Sequence, residues 1–377
     1  MAHGRTGMAG DIARAAAVAM LGGVAIIGGA GLAICTAHAA ARGAQEPVAP
    51  AGGGAAGADD APRRADDAAR RAEDAARQAE LASDAAAFEA CATFDASSGM
   101  LRFNSPPTAA ALRHLPRVPE LSERTELRIS GKVTVEAIKA IASASTGPKN
   151  LTTLVLSGPS VTDEALKALA AADTGLKSLT TLSLLEASVS DETLKALAAT
   201  DTGLKNLTRL VVRSNTVTDD GAKALVAPDT GLKNLTDLAL AGERITSDGL
   251  KALAAPDMGL KKLTTLSLSG NTITDDGLKA LAAADTGLKN LTYIRLYHTS
   301  VTDDGLKTLA AADTGLKNLN KLMLWTTGVT DEGLRALAAA DTGLTKLTTL
   351  NLRGAKVTDE GVAAVRARFP AITIERN

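Results

Sequence analysis

Aromatic side chains are nearly missing from this sequence. One Trp, two Tyr and four Phe make up 2% of 377 residues, while AVILMFWYC residues reach 45%. A core built on stacked rings is therefore excluded, and any interior must be aliphatic, made of Leu, Val, Ile and Ala. Cysteine is equally scarce: Cys35 and Cys91 give neither a disulfide framework nor a metal-binding spacing. His3, His38, His114 and His298 are the only histidines and do not make a multi-histidine metal site. Charge of one sign is lacking too. A formal net charge of -1 removes any global drive toward nucleic acid or acidic membranes, so electrostatic preference must be local.

What is present begins with an uncharged run, residues 15–41, between Arg14 and Arg42. At about 1.5 Å per residue it is long enough for a bilayer core of about 30 Å. Arg5 and Arg14 ahead of it favour a cytoplasmic N-terminus and export of the remainder of the chain. Small residues at 37–41 also suit signal-peptide cleavage, so residues 1–41 read as a signal peptide or a membrane anchor. Ile34 before Cys35 argues against a lipid-attachment cysteine, and Ile34 also stands where a dinucleotide-binding turn needs its third glycine. Residues 42–61 are rich in Pro, Gly and Ala and read as a flexible linker. Residues 62–92 form a charged, Ala-rich helix, with opposite charges four apart, as in Asp66 and Arg70. Its stripe of Ala65, Ala68, Ala72, Ala75, Ala79 and Ala82 gives two readings, a solvated spacer or a coiled-coil-like homo-oligomer contact. Residues 93–125 are expected to cap the larger domain C-terminal to them.

The second half is periodic. Leu151, Leu179, Leu207, Leu235, Leu263, Leu291, Leu319 and Leu347 recur every 28 residues, each opening a copy close to LTxLxLxxxxVTDDGLKALAAxDTGLKN. Such a period is the mark of a solenoid. Within one copy, Leu266 and Leu268 alternate with polar residues, as in a strand with one buried face. Thr274 is placed to cap a helix, Asp275 and Asp276 to complement its dipole, and Leu278 and Leu281 to share its inner face. Gly287 is expected to end the helix in a left-handed turn. A single coil buries too little to offset its ordering entropy, so stacking is compulsory.

These residues resemble the leucine-rich repeat family, in particular its ribonuclease-inhibitor-like and cysteine-containing subtypes with their VTDxGL segments. The resemblance spans residues 126–377 and implies an α/β solenoid, a horseshoe with a parallel concave sheet and convex helices. Asn215 and Asn271 fill the family's asparagine slot, whereas Pro159, Ala187, Glu243, Thr299, Thr327 and Ala355 depart from it. Residues 126–141 read as a degenerate first coil, and Phe369, Ile372 and Ile374 as the closing one.

Around the two strand leucines of each coil lie three slots that face outward, and the framework leaves them free. The rare large residues concentrate there: Tyr293, Arg295 and Tyr297 in one copy, Lys321, Met323 and Trp325 in the next. Adjacent strands stand about 4.8 Å apart, so Tyr297 is expected beside Trp325. The slots also carry Arg209, Arg213 and Arg353, so five cations face one anion, Asp237. Tyr, Trp and Arg are the usual anchors of interfaces. The expected binding residues are Arg209, Arg213, Tyr293, Arg295, Tyr297, His298, Lys321, Met323, Trp325 and Arg353, and the expected partner is a protein or an anionic polymer. The alternative is drift on a tolerant surface.

Other features carry less. The row Lys167, Lys195, Lys223, Lys251, Lys279 and Lys307 reads as helix salt bridges, as with Asp163 and Lys167 four apart. Asp219/Asp220, Asp275/Asp276 and Asp303/Asp304 read as helix starts rather than calcium ligands. His298 has no nucleophile or carboxylate partner in its copy, and no acid–base constellation, cofactor motif or specific nucleic-acid motif stands out. The sequence thus points to a non-enzymatic, exported or membrane-tethered recognition module. An envelope or adhesion spacer is the rival; an F-box-like adaptor is disfavoured by the short leader before the repeats.

Overall fold

A computed structural model describes residues 60–377, except 119, 120, 122, 144, 146, 172 and 377. The apolar run 15–41, Cys35 and most of the expected linker lie outside the described residues. No helix among the described residues is long and apolar enough to cross a membrane. The chain divides between Ala68 and Ala69 into two units, and the repeats belong to the second, Ala69–Asn377.

Helix α1 (Asp60–Cys91) leads into a hairpin of β1 (Ala92–Asp95) and β2 (Met100–Phe103), followed by the short helix α2 (Ala109–His114). Regular coils then alternate strand and helix. The strands are β3 (Glu126–Gly131), β4 (Thr153–Ser157), β5 (Thr181–Leu185), β6 (Arg209–Arg213), β7 (Asp237–Ala241), β8 (Thr265–Ser267), β9 (Tyr293–Arg295), β10 (Lys321–Met323), β11 (Thr349–Asn351) and β12 (Thr373–Glu375). The helices between them are α3 (Val135–Ala142), α4 (Asp163–Ala170), α5 (Asp191–Ala198), α6 (Asp219–Leu225), α7 (Ser247–Leu253), α8 (Asp275–Ala282), α9 (Asp303–Ala310), α10 (Asp331–Leu337) and α11 (Asp359–Arg368). One open sheet runs β1 to β12 in chain order; β1 and β2 pair antiparallel and every later pair is parallel. The constant 28-residue spacing keeps equal positions in register, as in Leu182 with Leu210 and Ile294 with Leu322.

The amino-terminal edge starts earlier than the repeat pattern reveals, because the hairpin adds two strands before β3. The end of α1 is fixed there. Asp84 is 1% exposed and held by Arg113 at 2.6 Å and Arg117 at 3.0 Å. The Arg113 hydrogen bond is the main cause that keeps its carboxyl below the usual range. Cys91 is a buried free thiol, out of reach of a second chain. Earlier in α1, Ala68, Ala72, Ala75, Ala79 and Ala82 are all exposed.

Three ladders explain the consensus better than local propensity does. The Thr after every opening Leu but Leu319, which Asn320 follows, donates to the backbone of the preceding coil, as Thr208 to Thr180 O at 3.2 Å and Thr236 to Thr208 O at 3.1 Å. The first Asp of each helix binds the next coil. Thr302 donates to Asp275 through its amide at 2.8 Å and its hydroxyl at 2.6 Å, and Thr330 binds Asp303 in the same way. Asp163 serves Ser190 and Thr193 similarly, so it does not pair with Lys167, which stands 3.8 Å from Glu192 instead. Where Ser247 replaces this Asp, Thr274 shares a hydroxyl bond with it at 2.8 Å and makes no cap to its own helix. The lysine row pairs with the second acid, three residues back, as Lys223 with Asp220 at 3.3 Å and Lys279 with Asp276 at 2.8 Å.

Glycine answers to the same stacking. A Cβ on Gly305 would collide with the Asp275 carboxylate and Leu278 of the previous coil, so the Gly of the DDG segment makes room for the ladder. Gly287 is not left-handed. Its missing Cβ admits Ala255 O and Met258, so close approach between coils, not a helix-ending turn, requires glycine there.

The asparagine slot is filled differently from the sequence pattern. Asn271 is buried, donates to Leu240 O at 2.7 Å and accepts from Ile245 N at 3.1 Å. Asn215 is exposed; Ser214 turns inward and donates to Val189 O at 2.8 Å. Thr299 and Thr327 take the slot in their coils, each binding the carbonyl of the Leu just after the strand, Leu296 or Leu324, at 2.8 Å.

Candidate functional site

The outward slots are not alike along the sheet. In β4 to β7 all three lie on the strand, but β8 to β11 end at the second slot. Tyr297 and Trp325 therefore sit on turns directly after β9 and β10, not on the strands. They are still neighbours, with ring centroids 5.7 Å apart and planes at 67°, an edge-to-face pair. His298 completes the group, its ring 5.4 Å from that of Trp325. Backbone bonds fix the turn: His298 N donates to Trp325 O at 3.1 Å and Thr326 N to Arg353 O at 2.8 Å. Trp325 remains 42% exposed.

His298 and Thr326 both have φ near +52°, the left-handed region. At the same slot Gly158, Gly270 and Gly354 adopt φ of 107°, 78° and 70°. A side chain there costs about 1–2 kcal/mol, and a β-branched residue such as Thr is an outlier. The two coils that carry the exposed rings thus keep non-glycine residues where the backbone favours glycine.

Cationic groups gather on the neighbouring slots. The Arg295 guanidinium stands 4.3 Å from the Tyr293 ring centroid and the Lys321 ammonium 5.7 Å from it. Burial pushes the Tyr297 phenol up, the adjacent Tyr293 adds to the rise, and Arg295 opposes it.

Several expected site residues stand elsewhere or are already engaged. Arg209 is paired with Asp237 of the next strand at 2.6 Å. Arg353 lies 3.9 Å from Glu375, whose carboxylate also accepts from Asn351 at 2.7 Å. Arg213 lies several coils earlier, where it lines a broad recess of about 600 Å³ with Glu186, Ser190 and Asn215. Met323 is only 7% exposed and offers no contact area. It stands between its register partners Arg295 and Asn351, and Ser267 and Asn351 of the same middle row are buried too. The group brought together is Tyr293, Arg295, Tyr297, His298, Lys321 and Trp325. Glu375 was the missed member of the face; the final strand contributes it, and Ile372 and Ile374 were the signal for that strand.

The leucine-rich repeat sequence model, described as "Leucine Rich repeat", matches residues 203–226, 259–282 and 343–365, each segment running from a turn through a strand into a helix. These coils are leucine-rich repeats. Among solved structures, the crystal structure of Listeria monocytogenes InlP is similar at 17% identity and a TM-score of 0.42. That alignment covers 68% of this chain and 62% of the InlP chain. No curated protein sequence matches significantly.

Leucine-rich repeats are a scaffold for protein recognition. Among the described residues no group of three or more His, Cys, Asp or Glu is arranged to hold a metal ion. The acidic pairs at the helix starts are occupied: Asp219 accepts from Thr246, and Asp220 pairs with Lys223.

Proposed function

We propose that this protein is a non-enzymatic recognition module that binds a protein partner through the sheet-side patch of Tyr293, Arg295, Tyr297, His298, Lys321 and Trp325. One observation carries the reading. The single Trp of the chain is 42% exposed against a Tyr and a His, in a coil whose turn is held at a conformation that favours glycine. Interior packing does not need that arrangement, since the leucines of the same coils are fully buried without it. An exposed ring wedged between other rings supplies contact area at low entropy cost.

The test compares affinity capture by the wild-type chain with capture by Tyr297→Ala combined with Trp325→Ala. Loss of the captured partner with an unchanged thermal melt is the expected result. Retained capture sinks the patch.

The same reading has the repeats exported or tethered to a membrane. Its support is the uncharged run 15–41 between Arg14 and Arg42, with Arg5 upstream. Protease added to intact cells should digest the repeats; full protection would refute export.

A further inference from the structure

We infer that the ligand of this patch is a peptide segment presenting one carboxylate beside an apolar side chain, and not a long anionic polymer. The inference rests on the proposal that the patch binds.

Between β7 and β12 the outward-facing cations without a carboxylate partner lie in a narrow window, and Arg213 on β6 stands outside it. Arg295 on β9 and Lys321 on β10 flank the Tyr293 ring, and neither makes an ion pair among the described residues. Carboxylates close this window on both sides, Asp237 two strands before β9 and Glu375 two strands after β10. At about 4.8 Å per strand, each lies about 10 Å from the nearer cation's strand. A polyanion long enough to follow the sheet would pass Asp237 in the first row and Glu375 in the middle row. Glu375 is the more repellent of the two: it is more exposed than Asp237, and Arg353 stands 3.9 Å from it whereas Arg209 holds Asp237 at 2.6 Å. Room therefore exists for one or two acidic groups, held by charge-assisted bonds.

The other half of the surface is apolar. Trp325 follows Lys321 by four residues in the same coil, a separation of at most about 13 Å at about 3.3 Å per residue. An extended peptide lying along the strand direction covers that distance in four residues or fewer. Its carboxylate would reach Lys321 and Arg295 while an aromatic or Leu side chain rests against Trp325 and His298.

The experiment is selection of a displayed random heptapeptide library on the full chain, with the emission of Trp325, the only tryptophan, as the binding signal. Enriched peptides are expected to carry Asp or Glu within four residues of an aromatic or Leu, and to shift Trp325 emission saturably. Lys321→Glu should weaken them by about tenfold or more, since it places like charges together. Heparin should not displace them. Enrichment without acidic preference, enrichment of Lys and Arg, displacement by heparin, or no enrichment at all overturns the inference. Peptides that bind the Tyr297→Ala/Trp325→Ala chain as well as the wild type sink the patch itself. Peptides that need those rings but lack acidic residues sink only the present inference.

Discussion

The coils on β4 to β7 and those on β8 to β11 share one framework and differ in the face they offer. Their leucines occupy the same buried rows, and backbone pairing continues coil to coil past the ends of the shorter strands, as in Leu296 N to Met323 O at 2.9 Å. In the earlier group the third slot extends the strand and carries Ser157, Leu185, Arg213 and Ala241. In the later group that slot is on a turn followed in every coil by a left-handed residue, Gly270, His298, Thr326 or Gly354. Among the earlier coils only Gly158 and Glu186 do this. Contacts between coils dictate the framework, while the turn and face are left to vary. Tyr297 and Trp325 stand where the side chain has left the fixed spacing of the pleat, whereas Tyr293 is on β9 itself.

Equal frameworks make a prediction that can break this comparison outright. Leu210→Ala on β6 and Leu322→Ala on β10, both fully buried, should each cost about 2–5 kcal/mol in chemical denaturation. A much smaller cost at Leu322 would mean that the later coils are simply looser, and their exposed rings a symptom of that.

The inter-coil carboxylates give the next largest effect. Asp303 accepts from Thr330 N at 2.7 Å, Thr330 Oγ1 at 2.6 Å and Gly333 N at 3.0 Å. Asp303→Ala should cost about 1–3 kcal/mol, and Ser247→Ala, which removes a neutral partner, less. Equal losses would show that charge adds nothing to the ladder. The pH dependence has a fixed sign. Hydrogen bonds from the Thr358 hydroxyl and amide hold Asp331 below its ordinary value of 3.8. A depressed folded-state pKa contributes stability that is present above 3.8 and is lost as pH falls through the folded value. Asp331→Asn should flatten that acid limb of the unfolding curve; an unchanged limb counts against this carboxylate.

Much of this was legible in the sequence, and what was not has a common cause. Identical coil length makes register inevitable, so the buried leucine rows and the meeting of Tyr297 with Trp325 could be read from a period of 28. Local reasoning assigned Asp275 to a dipole, Thr274 to a cap and Gly287 to a helix end, because their true partners lie in the neighbouring coil and no local pattern points there. A signal did exist. Ala165 stands at the DDG glycine position one coil after Val135, where there is no Asp side chain to accommodate, and Thr193 at that position hydrogen-bonds Asp163. On the face, the sum of charges missed that Asp237 and Glu375 each engage one arginine. The burial of Met323 was hidden because the three slots look equivalent in one dimension.

The smallest predicted effect is the most specific to the difference between the two groups of coils. Thr326 has φ of 52° and a branched Cβ, so Thr326→Gly should stabilise the fold by about 1 kcal/mol as the backbone strain is relieved. Ser214 occupies the equivalent slot after β6, but its φ is not left-handed and its hydroxyl donates to Val189 O at 2.8 Å. Ser214→Gly should therefore destabilise, by about 1 kcal/mol, through lost hydrogen bonding and added chain entropy. Opposite signs in matched thermal melts would confirm that the later turns hold a conformation their side chains resist. If both substitutions destabilise, Thr326 is at ease where it stands, and its place beside Trp325 no longer argues for selection on binding over stability.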